Sequence, residues 1–240
     1  MIARGLRKRF RQWLLGSAWS EAWDQTTLEM WGGHWNTDDL FKADADQERL
    51  RELAALWESN PRDAFPEFVA LAEAGSVWSM VRIGCGYRDG LGVRRDKRCA
   101  ERWFDAAFDR GSDYGLIWSA RMARSRGDFA KAKATLSVGV ERCLLPAMVA
   151  LAGLEIKTAK SSEDRERARG LLESAIANGF LPAKRAYACA MSHGAFGWRN
   201  IPEGFRRSRA LVKVESDAVG ERQKEILAAK RHTADARHVA

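Results

Sequence analysis

Residues 75–111 read GSVWSMVRIGCGYRDGLGVRRDKRCAERWFDAAFDRG. Met80, Ile83, Gly84 and Tyr87 fall at i, i+3, i+4 and i+7, the stripe of an amphipathic helix. Asp89-Gly90-Leu91-Gly92-Val93 interrupts that pattern, and its glycines are free to take positive φ. Asp96 is placed to cap a second helix, because a carboxylate there accepts hydrogen bonds from exposed first-turn amides. Ala100, Trp103, Phe104 and Ala107 give this helix a stripe of its own, and Gly111 ends it where a left-handed residue is common. The stretch predicts a helical hairpin with one apolar side.

The hairpin recurs. Asn60, Asp96, Asp128, Asp164 and Asn200 are spaced by 36, 32, 36 and 36 residues. Four residues after each stands a small one: Ala64, Ala100, Ala132, Ala168 and Gly204. Gly75, Gly111, Cys143 and Gly179 occupy the turn position fifteen residues after the first four. Repetition at this period predicts stacked hairpins, each burying its apolar side against its neighbours. Pro146 and Pro182 fall in the first turn of the following helices, where a missing amide proton does little harm. Repeat two is four residues short, and the deletion is assigned to the turn around Gly127. Ala70, Ala106, Val138, Ser174 and Ala210 recur at one offset and are expected where neighbouring helices approach closely. Leu50, Leu53, Ala54 and Trp57, then Ala64, Phe68 and Leu71, give an N-terminal pair, and Asp217 to Lys230 a closing helix.

Ala74-Gly75, Ile83-Gly84, Tyr87, Gly90-Leu91-Gly92-Val93, Asp96, Ala100, Trp103, Ala106-Ala107 and Gly111 together resemble the Sel1-like repeat, a relative of the tetratricopeptide repeat. The likeness covers about residues 60–215. It is close in repeat one, weaker in repeats three and four, and degenerate in repeat two. It implies an all-α fold, a right-handed α-solenoid of stacked helix-turn-helix repeats. It also implies an adaptor or scaffold for protein complexes, often in bacterial signalling or envelope-related assembly. No catalytic residue carries over. Secreted relatives that close each hairpin with a disulfide, linked to β-lactam binding, are a poor match, because this chain lacks two cysteines per repeat. The expected organisation is an N-terminal segment over 1–45, the repeats over 46–215, and a capping helix with a tail over 216–240.

Composition narrows the function classes. The chain has 240 residues, 46% hydrophobic and 30% charged, as in an ordinary globular protein. No run approaches the ~20 apolar residues of a membrane span. Cys85, Cys99, Cys143 and Cys189 form no C-x-x-C pair and read as free thiols in a reducing, cytoplasmic setting. His34, His193, His232 and His238 are scattered, so no metal and no cofactor is expected. The Gly90–Val93 turn lacks the preceding strand and following Lys-Ser/Thr of a phosphate loop, and reads as an interhelical turn. No catalytic constellation is apparent, and the chain reads as a non-enzyme. The net charge is +8, with +5 in residues 1–20 and −7 in residues 21–60. Basic residues in the repeats are interleaved with acids, which disfavours a nucleic-acid partner.

Two segments are candidates for binding. Positions three and seven after each repeat glycine lie off the core stripe of the first helix, the helix expected on the concave face. They hold Trp78 and Arg82 in repeat one, and Tyr114 and Trp118 in repeat two, with Arg121 one turn on. Aromatics with arginine are what interface hot spots are made of, and the expected partner is a protein or peptide. The same positions in repeats three and four are Pro146, Ala150, Pro182 and Ala186. The other candidate is residues 1–15. Ile2, Leu6, Phe10, Trp13 and Leu14 share a helical face, with Arg4, Arg7, Lys8 and Arg11 mostly on another. Such a basic amphipathic helix suits an anionic membrane surface, on the inner face of the membrane, or an acidic partner. Trp19, Trp23, Trp31 and Trp35 follow among acids and are expected either to dock into a partner or to cover the first hairpin, the second being favoured because exposed tryptophans are costly.

Overall fold

The computed structural model describes residues 37–211. In order they form α1 (Thr37–Lys42), α2 (Gln47–Ser59), α3 (Pro61–Glu73), α4 (Val77–Asp89), α5 (Lys97–Asp109), α6 (Asp113–Ser125), α7 (Phe129–Glu141), α8 (Leu145–Thr158), α9 (Ser162–Ala177) and α10 (Leu181–Ser192). A 3-10 turn at Trp198–Asn200 leads into α11, residues 201–211. No strand occurs among the described residues. The chain divides into two compact units, 1–154 and 155–240, the boundary falling inside α8. In the first unit each helix from α2 to α6 packs on the next, and in the second α9 packs on α10.

The turn residues behave as their spacing requires. Gly75, Gly111, Cys143 and Gly179 have φ of 109°, 92°, 58° and 79°. Cys143 is the non-glycine residue with positive φ among the described residues, so it does substitute for glycine there. At each of the four, the next amide reaches back five residues: Ser76 to Leu71, Ser112 to Ala107, Leu144 to Gly139 and Phe180 to Ala175, at 2.9–3.0 Å. This closure satisfies carbonyls that a helix end would leave bare. Gly127 does the same in the shortened turn, which spans only residues 126–128 between α6 and α7.

The polar positions are less uniform than their spacing. Asp96 caps α5 by accepting from the amides of Arg98 and Cys99, and Asp128 caps α7 through the amide of Lys131. Asn60 starts α3 but makes no side-chain cap, its amide donating instead to Asp63. Asp164 lies inside α9, not at its start. Ser161 is the cap, and Asp164 completes a capping box by accepting from the amides of Lys160 and Ser161. Asn200 sits in the 3-10 turn and donates to the Phe196 carbonyl.

The interior is what repeats strictly. Ala64, Ala100, Ala132 and Ala168 are all 0% exposed, and a Cβ on Gly204 would collide with the backbone nitrogen of Ser192. The expected close-packing set Ala70, Ala106, Val138, Ser174 and Ala210 is one residue out of phase. Ala70, Ser174 and Ala210 are exposed, and Ala106 and Val138 half-buried. The buried small residues are the next ones along, Ala107, Gly139 and Ala175. A Cβ on Gly139 would stand 2.5 Å from Cβ of Ala147. Likewise Gly84 lies beneath the Phe104 ring, and Gly115 lets α6 approach the backbone of α5 at Phe104 and Phe108.

Phe68, Phe104, Leu50, Leu53, Ile83 and Leu116 fill the core of the first unit. Its buried carboxylate, Glu101, accepts from Arg126 and Lys131 at 2.7 and 2.8 Å, which compensates that buried charge. Lys131 also donates to Asp105. Burial pulls its pKa down, but hydrogen bonds to Asp105 and Glu101 outweigh this and hold the proton. The second unit is built on Leu172, Phe180, Ala183 and Met191, with Tyr187 against Phe196. Leu181, Trp198 and Phe205 are exposed. The expected closing helix, 217–230, lies outside the described residues.

Candidate binding surface

Two serines set the phase of the first helices. Ser76 caps α4 by accepting from the Ser79 amide, and Ser112, itself fully buried, caps α6 by accepting from the Gly115 amide. Trp78, Arg82 and Cys85 then fall at i, i+4 and i+7 on α4, and Tyr114, Trp118 and Arg121 at the same spacing on α6. Side chains so spaced share a helix face.

The structure gathers the five candidate residues into two groups, Trp78 with Arg82 and Tyr114 with Trp118 and Arg121, and sets Cys85 and Arg88 of α4 against the second. The Arg82 guanidinium lies over the Trp78 ring at 4.6 Å. Cys85 Sγ is 3.6 Å from the Tyr114 hydroxyl, which also accepts from Arg88 at 3.5 Å. Arg88 and Arg121 lie over the Trp118 ring at 3.9 and 4.3 Å. Guanidinium planes on indole faces are favourable cation–π contacts of about 0.5–2 kcal/mol each. Trp78 and Trp118 are only 8% and 5% exposed, so the rings themselves serve the core. Trp118 packs on Phe104 and Trp78 on Phe68. What the rings offer outward is the arginines laid upon them.

That layer is cationic. Among the described residues, Arg82 and Arg124 pair with no carboxylate. Arg88 pairs with Asp89. Burial, reinforced by the charge of Arg124, brings the Arg121 pKa down to about 10, and burial lowers that of Arg124 as well. Burial pushes the Tyr114 hydroxyl and the Cys85 thiol up, so neither is a ready nucleophile. The indole N–H of Trp118 is buried and finds no acceptor among the described residues.

Arg88 and Arg124 were not among the sequence candidates. Each continues a stripe already identified, Arg124 three residues past Arg121 and Arg88 three past Cys85, and extending the stripes by a turn would have found both. The corresponding residues of α8 and α10 are different in kind. Pro146 and Pro182 are buried, Ala186 is buried and Ala150 half-buried. Leu6, Arg7, Lys8, Phe10, Trp13 and Leu14 lie outside the described residues.

A second cleft, about 460 Å³, opens between the start of α3 and the α4–α5 turn, lined by Asn60, Arg62, Gly92 and Arg94 among others. A Cβ on Gly92 would collide with the Pro61 carbonyl, so this turn packs directly on the preceding hairpin. Among the described residues no group of three or more His, Cys, Asp or Glu side chains converges as metal ligands would.

No family model matches the chain, and no curated protein matches it. Solved structures do. One is a protective antigen of uropathogenic Escherichia coli strains that displays an SLR (Sel1-like repeat) fold. It is 18% identical, with a TM-score of 0.58, and the match covers 70% of this chain and 39% of the antigen. Another is a Sel1 repeat protein from Oxalobacter formigenes, 19% identical over 66% of this chain and 80% of that one. Its TM-score is 0.33, too low to carry an argument. Hairpins closed by left-handed residues over a recurrent buried alanine, together with the first of these likenesses, establish that this chain has the Sel1-like repeat fold.

Proposed function

We propose that the chain is a non-enzymatic adaptor or scaffold that holds a protein or peptide on the face shared by α4 and α6. The observation that carries this reading is the layer of arginines on Trp78 and Trp118, with Arg82 in that layer and Arg124 beside Arg121 having no carboxylate partner among the described residues. Arginine stacked on an aromatic is already ordered, so little side-chain entropy is lost when a partner docks. Its charge favours an acidic partner.

The test is affinity capture from the native cell with the full chain beside Arg82→Glu/Arg124→Glu. A stoichiometric partner held by the first and lost from the second is expected. Equal capture by both would sink the assignment of this face. Both arginines are half-buried, so the melting transition of the double variant is measured beside capture, and a partner lost from a variant that still melts cooperatively is the supporting result. Trp118→Ala is the wrong test, because deleting a buried indole costs about 3–5 kcal/mol and confounds folding with binding.

A second reading places residues 1–15 on an anionic membrane surface, with the repeats carried as cargo. Its support is the segregation of Leu6, Phe10, Trp13 and Leu14 from Arg7 and Lys8 in the sequence. No described helix is long and apolar enough to cross a membrane. Loss of membrane association on Leu6→Glu is the expected result, and unchanged fractionation would remove this reading.

A further inference from the structure

The described chain begins beside the arginine layer. α1 packs on α4, and the Phe41 ring meets the Trp78 ring edge-on at 5.4 Å. The Ser76 hydroxyl, at the start of α4, donates to Asp44. The first described helix thus lies against Trp78, and the sequence before it is outside the described residues. That sequence has an unusual composition. Segment 19–35 reads WSEAWDQTTLEMWGGHW, with Glu21, Asp24 and Glu29, no lysine or arginine, and two tryptophan pairs at i, i+4.

The face of α4 and α6 has the complementary chemistry. It carries guanidiniums at Arg82 and Arg124 that no described carboxylate neutralises. It also carries a 95%-buried tryptophan, Trp118, whose indole N–H has no acceptor among the described residues. Seventeen residues at up to about 3.5 Å each reach across two packed helices with length to spare.

From this juxtaposition we infer that residues 19–35 of this chain dock on the arginine layer of α4 and α6 as an intramolecular occupant. This rests on the proposed reading of that layer as a binding surface. Its carboxylates face Arg82 and Arg124, and its tryptophans lie against the guanidinium planes. An external partner must then displace the segment, and the docked segment fixes what kind of partner succeeds: an acidic peptide bearing aromatic residues. Binding within one chain is favoured by effective concentrations in the millimolar range, so even weak contacts would keep the site closed.

The experiment is amide hydrogen exchange on the full chain, read by mass spectrometry over residues 19–36. The wild type, Arg82→Glu/Arg124→Glu, and that pair combined with Glu21→Arg/Asp24→Arg/Glu29→Arg are compared. Protection at least tenfold above the free-peptide rate is expected in the wild type. It should be lost on reversing the arginines and regained when both charge sets are exchanged. Amides of α5 and α7 report that each variant is folded. Free-peptide exchange in the wild type, or protection that survives the arginine reversal, would overturn the inference. Capture of an external partner is read in parallel with Glu21→Arg/Asp24→Arg/Glu29→Arg alone. Increased capture supports displacement, and unchanged capture beside intact arginine dependence would overturn the docking while leaving the adaptor reading standing. Protection without any external partner would instead remove the adaptor reading alone.

Discussion

The first helices of repeats one and two and those of repeats three and four are built at the same phase but to different ends. On α4 and α6, positions off the core stripe carry Trp78 beneath Arg82, and Tyr114 against Trp118 beneath Arg121. On α8 and α10 the corresponding residues are Pro146, Ala150, Pro182 and Ala186, which present little beyond backbone and methyl groups. Packing beneath is equally tight in both, as Ala100 and Ala168 are alike 0% exposed. The difference teaches that one hairpin frame supports either a decorated or a plain outer face without altering its interior. Stability and recognition should therefore separate by mutation.

The largest expected effect tests the shared interior. Phe104→Ala should cost about 3–5 kcal/mol and Leu172→Ala about 2–5 kcal/mol, each in a fully buried site, measured by denaturant unfolding. A loss confined to one of them would show that the two interiors are not equivalent. A sharper contrast, opposite in sign, comes from two glycines. A Cβ on Gly115 would stand 2.8 Å from the Phe108 nitrogen, which is backbone and cannot step aside, so Gly115→Ala should cost about 1–3 kcal/mol. Gly170, in the middle of α9, has nothing within 4 Å of its Cβ position. Gly170→Ala should stabilise by about 0.5–1 kcal/mol through helix propensity. Equal signs would mean that the closeness of α5 and α6 has been misjudged.

The smallest effect concerns how the helices begin. α6 starts on a hydroxyl, Ser112, which does not titrate in acid, whereas α9 adds to its Ser161 hydroxyl the carboxylate of Asp164. Hydrogen bonds from the Lys160 and Ser161 amides bring the Asp164 pKa down to about 2, below the ordinary aspartate value near 4. A depressed carboxylate contributes stability above its unfolded pKa and loses it as pH falls towards the folded one. Amide protection at the start of α9 should thus fall between pH 4 and pH 2 while that of α6 holds. Asp164→Asn should flatten the trend, and a wild-type profile as flat as the variant's would refute it.

Much of this fold was legible because its signals are local. A left-handed turn residue fifteen positions after a polar one marks a helix end, and even Cys143 could be placed by that count. The buried alanines follow from helical phase. The close-packing residues were misassigned by one position for a physical reason. Offsets ten and eleven differ by about 100° around a helix, and small residues stand at both, as at Ala106 and Ala107. Only the neighbouring helix decides which one it covers. The aromatic layer was half legible. Spacing grouped Trp78 with Arg82 and Trp118 with Arg121, but the burial of the rings depends on Phe68 and Phe104, which come from the second helices. Asp164 was read as a cap because the preceding Ser161 gives α9 an early start that the period does not reveal.

Cys143 also makes the molecule easy to instrument. It is the exposed thiol among the described cysteines, while Cys85, Cys99 and Cys189 are half-buried. A maleimide dye under brief, limiting conditions should therefore attach first at the turn between α7 and α8. That position lies outside the α4 and α6 helices, so the native sequence already supplies an attachment point that leaves the arginine layer untouched, with no cysteine introduced.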